Sequence, residues 1–402
     1  MTIHLWYTDD ALTDFIKNKA VAFYEQNDIR VETKLVSGLE YLEQINRDSL
    51  STEEAGPDVF VISNDSLEKA YLAGLTTNIS GGIETLEQAG YSQTAIDAVT
   101  YNGKCIGIPF YYETAALLYN KTYLEQIVQN NNEAVSEDEN ATIISADDLI
   151  PSSIADILNF ADSYSTPENV EYFFRWDVSD IFYNYFFIGN YISVGGNAGD
   201  RKDEINIYNT DAIVSLKVYQ QMSQFFSIDA KEINYEKVMA QFLEGKTIYT
   251  IATSDCIATL EAAKKNGEFE YEYGIATLPN INNELETKGM SVTNALVING
   301  YSGHKDASER FIRFLSDEAG NDLYNFAGKL PAKVGQAYEN ENLLAFHPMM
   351  AFVSGIDADC GISHYGLRTG GCDDELLIGV LYGVSDIPEA ARHILILDLR
   401  VG

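Results

Sequence analysis

The sequence predicts an α/β protein of two domains, each built on a mostly parallel sheet flanked by helices. Three observations predict it. The chain has 402 residues, more than one ordinary hydrophobic core serves. Hydrophobic residues make up 46% of it and charged residues 22%, the balance of a folded chain. Strand and helix patterns then alternate three times before Tyr71, which is the signature of βα units.

The elements follow in order. Ile3 to Tyr7 is short, apolar and aromatic, and reads as a buried strand. Thr8-Asp9-Asp10 is a loop and N-cap, after which Leu12, Phe15, Ile16, Ala20 and Phe23 recur at helical spacing. Ile29 to Val36 is a second strand and Leu39 to Ile45 a second helix. Gly56-Pro57-Asp58 turns into the strand Val59 to Ile62, whose polar tip runs from Ser63 to Ser66 before another helix. Such alternation makes a parallel sheet, and ligands bind outside the carboxyl ends of its strands. Here those ends are Thr8-Asp9-Asp10, Ser37-Gly38 and Ser63-Asn64-Asp65.

Asn102-Gly103 between two apolar runs signals a hairpin. Phe110-Tyr111-Tyr112-Glu113-Thr114 leads into the strand Ala115 to Tyr119. Asn130 to Asn140 is acidic and amide-rich, a solvated loop. Ile154 to Tyr191 is dense in aromatic residues, among them Phe174, Trp176, Tyr183 and Phe187. Gly195 to Asp203 is a polar loop. Helices are predicted over Val214 to Phe226 and Tyr235 to Leu243. Gly245-Lys246 then turns into the strand Thr247 to Ile251, which ends at Thr253-Ser254-Asp255. Tyr273 to Pro279 and Ser291 to Ile298 are further strands, and Ala307 to Leu315 a helix.

Composition narrows the function. Lys and Arg total 26 against 61 Asp and Glu, a formal charge of −35. Nucleic acid and anionic membranes repel such a body, so a neutral ligand suits its field best. The same charge also serves plain solubility. No apolar run approaches the roughly 20 residues that span a bilayer. No leader is visible, and the chain reads as a mature domain with Met1 added for expression. Four cysteines and five histidines form no zinc-like spacing, so neither a metal nor a cofactor is expected. Cys360 and Cys372 are near enough in sequence to pair.

Seven segments in fixed order resemble the maltose-binding-protein group of extracellular solute-binding proteins. They are Trp6-Tyr7-Thr8, Gly56-Pro57-Asp58-Val59, Tyr101 to Pro109, Glu113 to Lys121, Phe242 to Thr247, Tyr273 to Pro279, and Gly328-Lys329-Leu330-Pro331-Ala332. The resemblance implies a two-lobed periplasmic-binding-protein fold with discontinuous lobes. Residues 1–111 with 292–328 would form lobe 1, and residues 112–291 with 329–402 lobe 2, with a ligand cleft between the lobes. It implies a monomer that closes by a hinge over a sugar or short oligosaccharide and delivers it to the permease of an ABC importer. It places the protein on the extracellular face of a bacterium, lipid-anchored in its full-length form, or in the periplasm. The chain departs from the group in having only Trp6 and Trp176 as tryptophans, in Gly355 to Cys372, and in its last residues.

A sugar needs polar partners around its rim and flat rings on its C–H faces. Asp9 and Asp10 follow the first strand and serve either as ligands or as an N-cap. The resemblance aligns Asp10 with a contacting position. Glu40 and Tyr41 follow the second strand, with a solvated helix face as the rival reading. Ser63, Asn64 and Asp65 follow the third, and Asp65 matches a sugar-binding aspartate of the family. Glu113 matches a family ligand glutamate. Of Tyr111 and Tyr112, one is expected to pack and one to stack. Trp176 and Asp177 fall where the family presents an aromatic ring and a carboxylate, core burial being the alternative for Trp176. Thr253, Ser254 and Asp255 end a strand at a turn the resemblance aims at ligand. Ser291, Asn294, Arg368 and Asp373 complete the set, with Tyr365 and Asp374 beside the last two.

Three rival classes remain: an enzyme, a binder of a different ligand, and a surface adhesin or structural module that would take no small ligand. Paired carboxylates suffice for glycoside hydrolysis. But 61 acidic residues make pairs by chance, and no GxSxG, HExxH, P-loop or GxGxxG is present. The protein is therefore read as a binder and not an enzyme. A cationic ligand such as a polyamine is the alternative within binding proteins, since it suits acidic rims.

Overall fold

The computed structural model describes residues 1–36, 40–51, 56–135, 143–194, 204–333, 342–343 and 345–346. The chain divides into two compact units. Unit 1 holds Met1–Glu113 with Ser291–Glu341, and unit 2 holds Thr114–Met290 with the chain from Asn342 on. The chain changes unit after Glu113, Met290 and Glu341, where the sequence reading sets the exchanges after 111, 291 and 328.

Unit 1 opens with β1 (Thr2–Tyr7), α1 (Thr13–Asn27), β2 (Arg30–Leu35), α2 (Tyr41–Leu50), β3 (Val59–Ser63) and α3 (Asn64–Leu72). β1 lies between β2 and β3 and runs parallel to both. α1 buries Phe15, Ile16, Ala20 and Phe23, the stripe expected from spacing. After α4 (Gly82–Gln88) and α5 (Gln93–Ala98) comes a hairpin of β4 (Thr100–Tyr101) and β5 (Lys104–Cys105). Its turn needs positive φ at two successive positions. Asn102 and Gly103 supply 48° and 69°. β6 (Ile108–Asn120) starts in unit 1 and ends in unit 2.

Unit 2 continues with α6 (Lys121–Val135), α7 (Ile154–Ser163), β7 (Tyr172–Phe174), α8 (Ile181–Asn184), β8 (Ser193–Val194), β9 (Ile205–Asn206), α9 (Thr210–Phe225), α10 (Tyr235–Leu243), β10 (Thr247–Thr253), α11 (Asp255–Asn266) and β11 (Tyr273–Ala276). β10 runs parallel to β7 and antiparallel to β6, and β11 pairs antiparallel with β6. Leu117, Phe174, Trp176, Phe187, Tyr219 and Tyr249 are among the core of this unit. Phe174, Trp176 and Phe187 come from the aromatic segment between Ile154 and Tyr191.

The chain then returns to unit 1 as β12 (Ser291–Ile298), α12 (Lys305–Asp317), α13 (Gly320–Ala327) and β13 (Leu330–Pro331). β12 runs antiparallel to β3, so Asn294 sits opposite Ser63 and the start of β12 meets the end of β3. Phe311 of α12 packs edge-on against Phe23 of α1, ring centroids 5.1 Å apart. β13 pairs with Tyr111 and Tyr112 of β6, which fixes this segment in unit 1. Among the described residues, no helix is long and apolar enough to cross a membrane.

Candidate functional site

In unit 1 the candidate residues gather at the carboxyl ends of β1 and β3. Asp9 caps the turn after β1, its Oδ1 accepting from the Ala11 amide at 3.0 Å. Its Oδ2 lies 2.8 Å from Lys329 Nζ. The same ammonium donates to Glu113 Oε1 at the end of the unit 1 part of β6. Burial alone would lower the Lys329 pKa, but the carboxylates of Glu113 and Asp9 outweigh it and raise the pKa. Asp10 is exposed and accepts from Thr13 Oγ1 at 3.2 Å.

At the neighbouring strand end, Ser63 Oγ donates to Asp65, which is buried at the start of α3. Asn64 Oδ1 accepts from the Thr293 amide at 2.8 Å, joining α3 to β12. Asn294 is partly open beside Ser63, whereas Ser291 is buried. Glu40 is exposed just before α2.

In unit 2 the rim lies where β10 ends. The rings of Tyr183 and Tyr235 stack at 4.8 Å and 11°. The Thr253 amide donates to Tyr235 Oη at 3.2 Å, and Tyr235 Oη in turn hydrogen-bonds Thr253 Oγ1 at 3.0 Å. Thr253 also bonds Asp255, which is exposed at the first turn of α11, while Ser254 between them is buried. Asp177 and Asp180 lie near enough to Tyr183 to act on it. Burial pushes that phenol's pKa up, and Asp255, Asp180 and Asp177 add to the rise. Burial also raises the Asp180 carboxyl, with Asp177 adding to it. Asp180 and Asp255, both exposed, offer carboxylate acceptors beside this pair of rings.

Several expectations need correction. Trp176 is 0% exposed, stacked on Phe174 at 4.8 Å and packed against Phe187 and Tyr219. It is a core ring and presents no wall to a ligand. Tyr111 and Tyr112 are both buried, flanked by β13, so both pack and neither stacks openly. Tyr41 donates its hydroxyl to the Trp6 carbonyl at 2.9 Å, which uses it to hold α2 on β1. Asp177 is buried and accepts from the Ser179 amide and hydroxyl at 2.8 and 2.6 Å, a loop-fixing role. Ser37, Gly38, Arg368, Asp373, Tyr365, Asp374, Cys360 and Cys372 lie outside the described residues.

Three residues were missed. Lys329 stands in a segment read only for likeness, and its acidic partners are far away in sequence. In sequence Tyr183 is one aromatic among many and Tyr235 a helix start. Among the described residues, no group of three or more His, Cys, Asp and Glu is placed to hold a metal ion.

Two α/β units, each with carboxylates, hydroxyls and amides at its strand ends, define a two-domain ligand-binding protein of the solute-receptor kind. The chain belongs to the bacterial extracellular solute-binding protein family, whose sequence pattern matches residues 19–336. Among its relatives, the maltooligosaccharide ABC transporter solute-binding lipoprotein of Streptococcus pneumoniae is 24% identical over 336 residues, covering 81% of this chain and 71% of that one. The maltodextrin-binding protein MdxE of Bacillus subtilis is 21% identical over 346 residues, covering 84% and 75%. In structure the chain resembles an extracellular solute-binding protein from Staphylococcus aureus in complex with maltose, with a TM-score of 0.70, 18% identity and coverage of 99% and 96%. MalX from Streptococcus pneumoniae in complex with maltopentaose gives 0.66, 19% identity and coverage of 99% of both chains. These structural likenesses establish the fold.

Proposed function

We propose that this chain is the solute-receiving component of an ABC-type importer and that its ligand is a malto-oligosaccharide. The observation that carries the reading is the agreement among relatives. Those that align over about four-fifths of the chain are named for maltooligosaccharide or maltodextrin. The chemistry of the two rims supports it. Neutral sugars are held by carboxylates and amides on their hydroxyls and by rings on their C–H faces. Asp10, Ser63, Asn64, Asp65, Glu113 and Asn294 offer the first in unit 1, and in unit 2 Thr253 and Asp255 offer the first and the half-buried ring of Tyr235 the second. The protein acts as a binder without catalysis, as a monomer that hands its cargo to permease subunits. The lipoprotein names of the pneumococcal relatives support anchoring at the outer face of the membrane.

Calorimetry with maltose, maltotriose and maltotetraose tests the reading. A micromolar complex, about −8 kcal/mol, is expected for at least one of them. Titrations without heat for all three, alongside binding of spermidine, would overturn it in favour of a cationic ligand.

A further inference from the structure

The ammonium of Lys329 changes what its neighbours can bind. Each oxygen of Asp9 already has one partner, Oδ1 the Ala11 amide at 3.0 Å and Oδ2 the Lys329 ammonium at 2.8 Å. Glu113 gives Oε1 to the same lysine, and its Oε2 has no hydrogen-bond partner among the described residues. Lys329 Nζ carries three N–H donors and spends two on these carboxylates. No third hydrogen-bond acceptor holds it among the described residues. Its ammonium also stands 5.5 Å from the centre of the Tyr111 ring, which adds a second restraint.

The open positions are therefore one charged acceptor and one charged donor side by side, on a lysine whose side chain is 14% exposed and a glutamate whose side chain is 37% exposed. Two carboxylates and one ammonium leave a local charge of −1 rather than −2. A diamine or polyamine wants acceptors only and meets a fixed cation here. A vicinal diol matches the pair, because one hydroxyl donates to Glu113 while its neighbour accepts from Lys329.

We propose that Lys329 and Glu113 form a donor–acceptor pair that reads a vicinal diol, and that Lys329 excludes cationic ligands from this rim. This rests on the sugar reading above. Lys329 contacts the ligand and also positions Glu113.

The test compares wild type, Lys329→Met, Lys329→Gln and Lys329→Arg, with maltotriose and spermidine as probes in calorimetry and thermal unfolding recorded for each. Wild type should bind maltotriose and not spermidine. Lys329→Met should weaken maltotriose about tenfold or more, the effect of one charge-assisted hydrogen bond. It should also gain spermidine binding, which a merely structural lysine would not confer. Lys329→Arg should keep maltotriose within about threefold of wild type, because the guanidinium also donates to both carboxylates. Where Lys329→Met does not fold, Lys329→Gln takes its place. It keeps a donor, removes the charge, and should still admit spermidine. Wild type that binds maltotriose together with a folded variant that binds it equally well and still refuses spermidine would overturn the pair. Wild type that binds no malto-oligosaccharide would overturn the sugar reading itself.

Discussion

The indole Nε1 of Trp176 donates to Asn184 Oδ1 at 2.9 Å, and Asn184 Nδ2 returns two bonds, to the carbonyls of Asp177 at 3.0 Å and Asp180 at 2.6 Å. One amide thus satisfies the only polar atom of a buried ring and closes the loop that carries Asp177 and Asp180. Trp176→Ala is expected to cost about 3–5 kcal/mol of stability through the cavity it leaves. Asn184→Ala should cost about 1–3 kcal/mol, because it strands the indole N–H. Denaturant unfolding followed by tryptophan fluorescence checks the second value, and circular dichroism the first. A Trp176→Ala protein of unchanged stability would contradict its place in the core.

Alkaline pH should destabilise the fold before any carboxylate effect matters. Burial pushes the phenols of Tyr91 and Tyr185 up to about 12, and those of Tyr183, Tyr235 and Tyr249 well above their usual value. Unfolded tyrosines lose their protons near pH 10. The folded state then holds protons that the unfolded state has released, so stability falls as pH rises from about 10 towards 12. Lys329 acts in the same sense. Its raised pKa gives stability that is complete below about 10.4 and is lost as pH rises through the folded value. Absorbance at the phenolate band should show a set of tyrosines that titrate only when the protein unfolds. Melting temperatures should be lower at pH 11 than at pH 9.

Gly245 carries the turn from α10 to β10 for two separable reasons. Its φ is +72°, and a Cβ there would lie 2.4 Å from the Tyr271 hydroxyl. Its carbonyl also accepts from Tyr123 Oη at 2.8 Å. Gly245→Ala is expected to cost about 1–2 kcal/mol for the left-handed backbone alone, before the contact with Tyr271 is relieved. Gly245→Ala in a Tyr271→Ala background should recover only the part due to the contact. Thermal unfolding of the two singles and the double separates these parts.

Local pattern sufficed where an element's own residues decide its fate. The stripe Phe15, Ile16, Ala20 and Phe23 is buried as spacing requires, and β12 spans Ser291–Ile298 as its apolar run does. Asn102-Gly103 turns as its backbone preference dictates. The rim was legible only in part. Its strand-end positions follow from the alternation of strands and helices, but which side chain faces outward depends on partners elsewhere. Trp176 shows the limit, since an aromatic residue after a strand packs inward or outward with the same local sequence. Lys329 shows the other limit. Its partner Glu113 is 216 positions away, and no window of sequence reports such a pairing.

Asp177 and Asp255 both act on the Tyr183 phenol of unit 2 but should respond differently to loss of charge. Asp177 is buried, and its Oδ1 holds the Ser179 amide and hydroxyl at 2.8 and 2.6 Å. Asp177→Ala removes an acceptor from an amide that then has no partner in the loop, so stability should fall by about 1–3 kcal/mol. Asp255 is exposed in the first turn of α11, where its carboxylate accepts from the hydroxyl of Thr253. Asp255→Asn keeps an oxygen acceptor at that position and removes the charge, so stability should change by less than about 1 kcal/mol. Affinity for maltotriose should drop about tenfold, because a sugar hydroxyl bonds a carboxylate more strongly than an amide. Calorimetry of the Asp255→Asn protein reads the affinity, and unfolding of both variants reads the stability. Equal affinity in Asp255→Asn and wild type would remove this rim from the ligand.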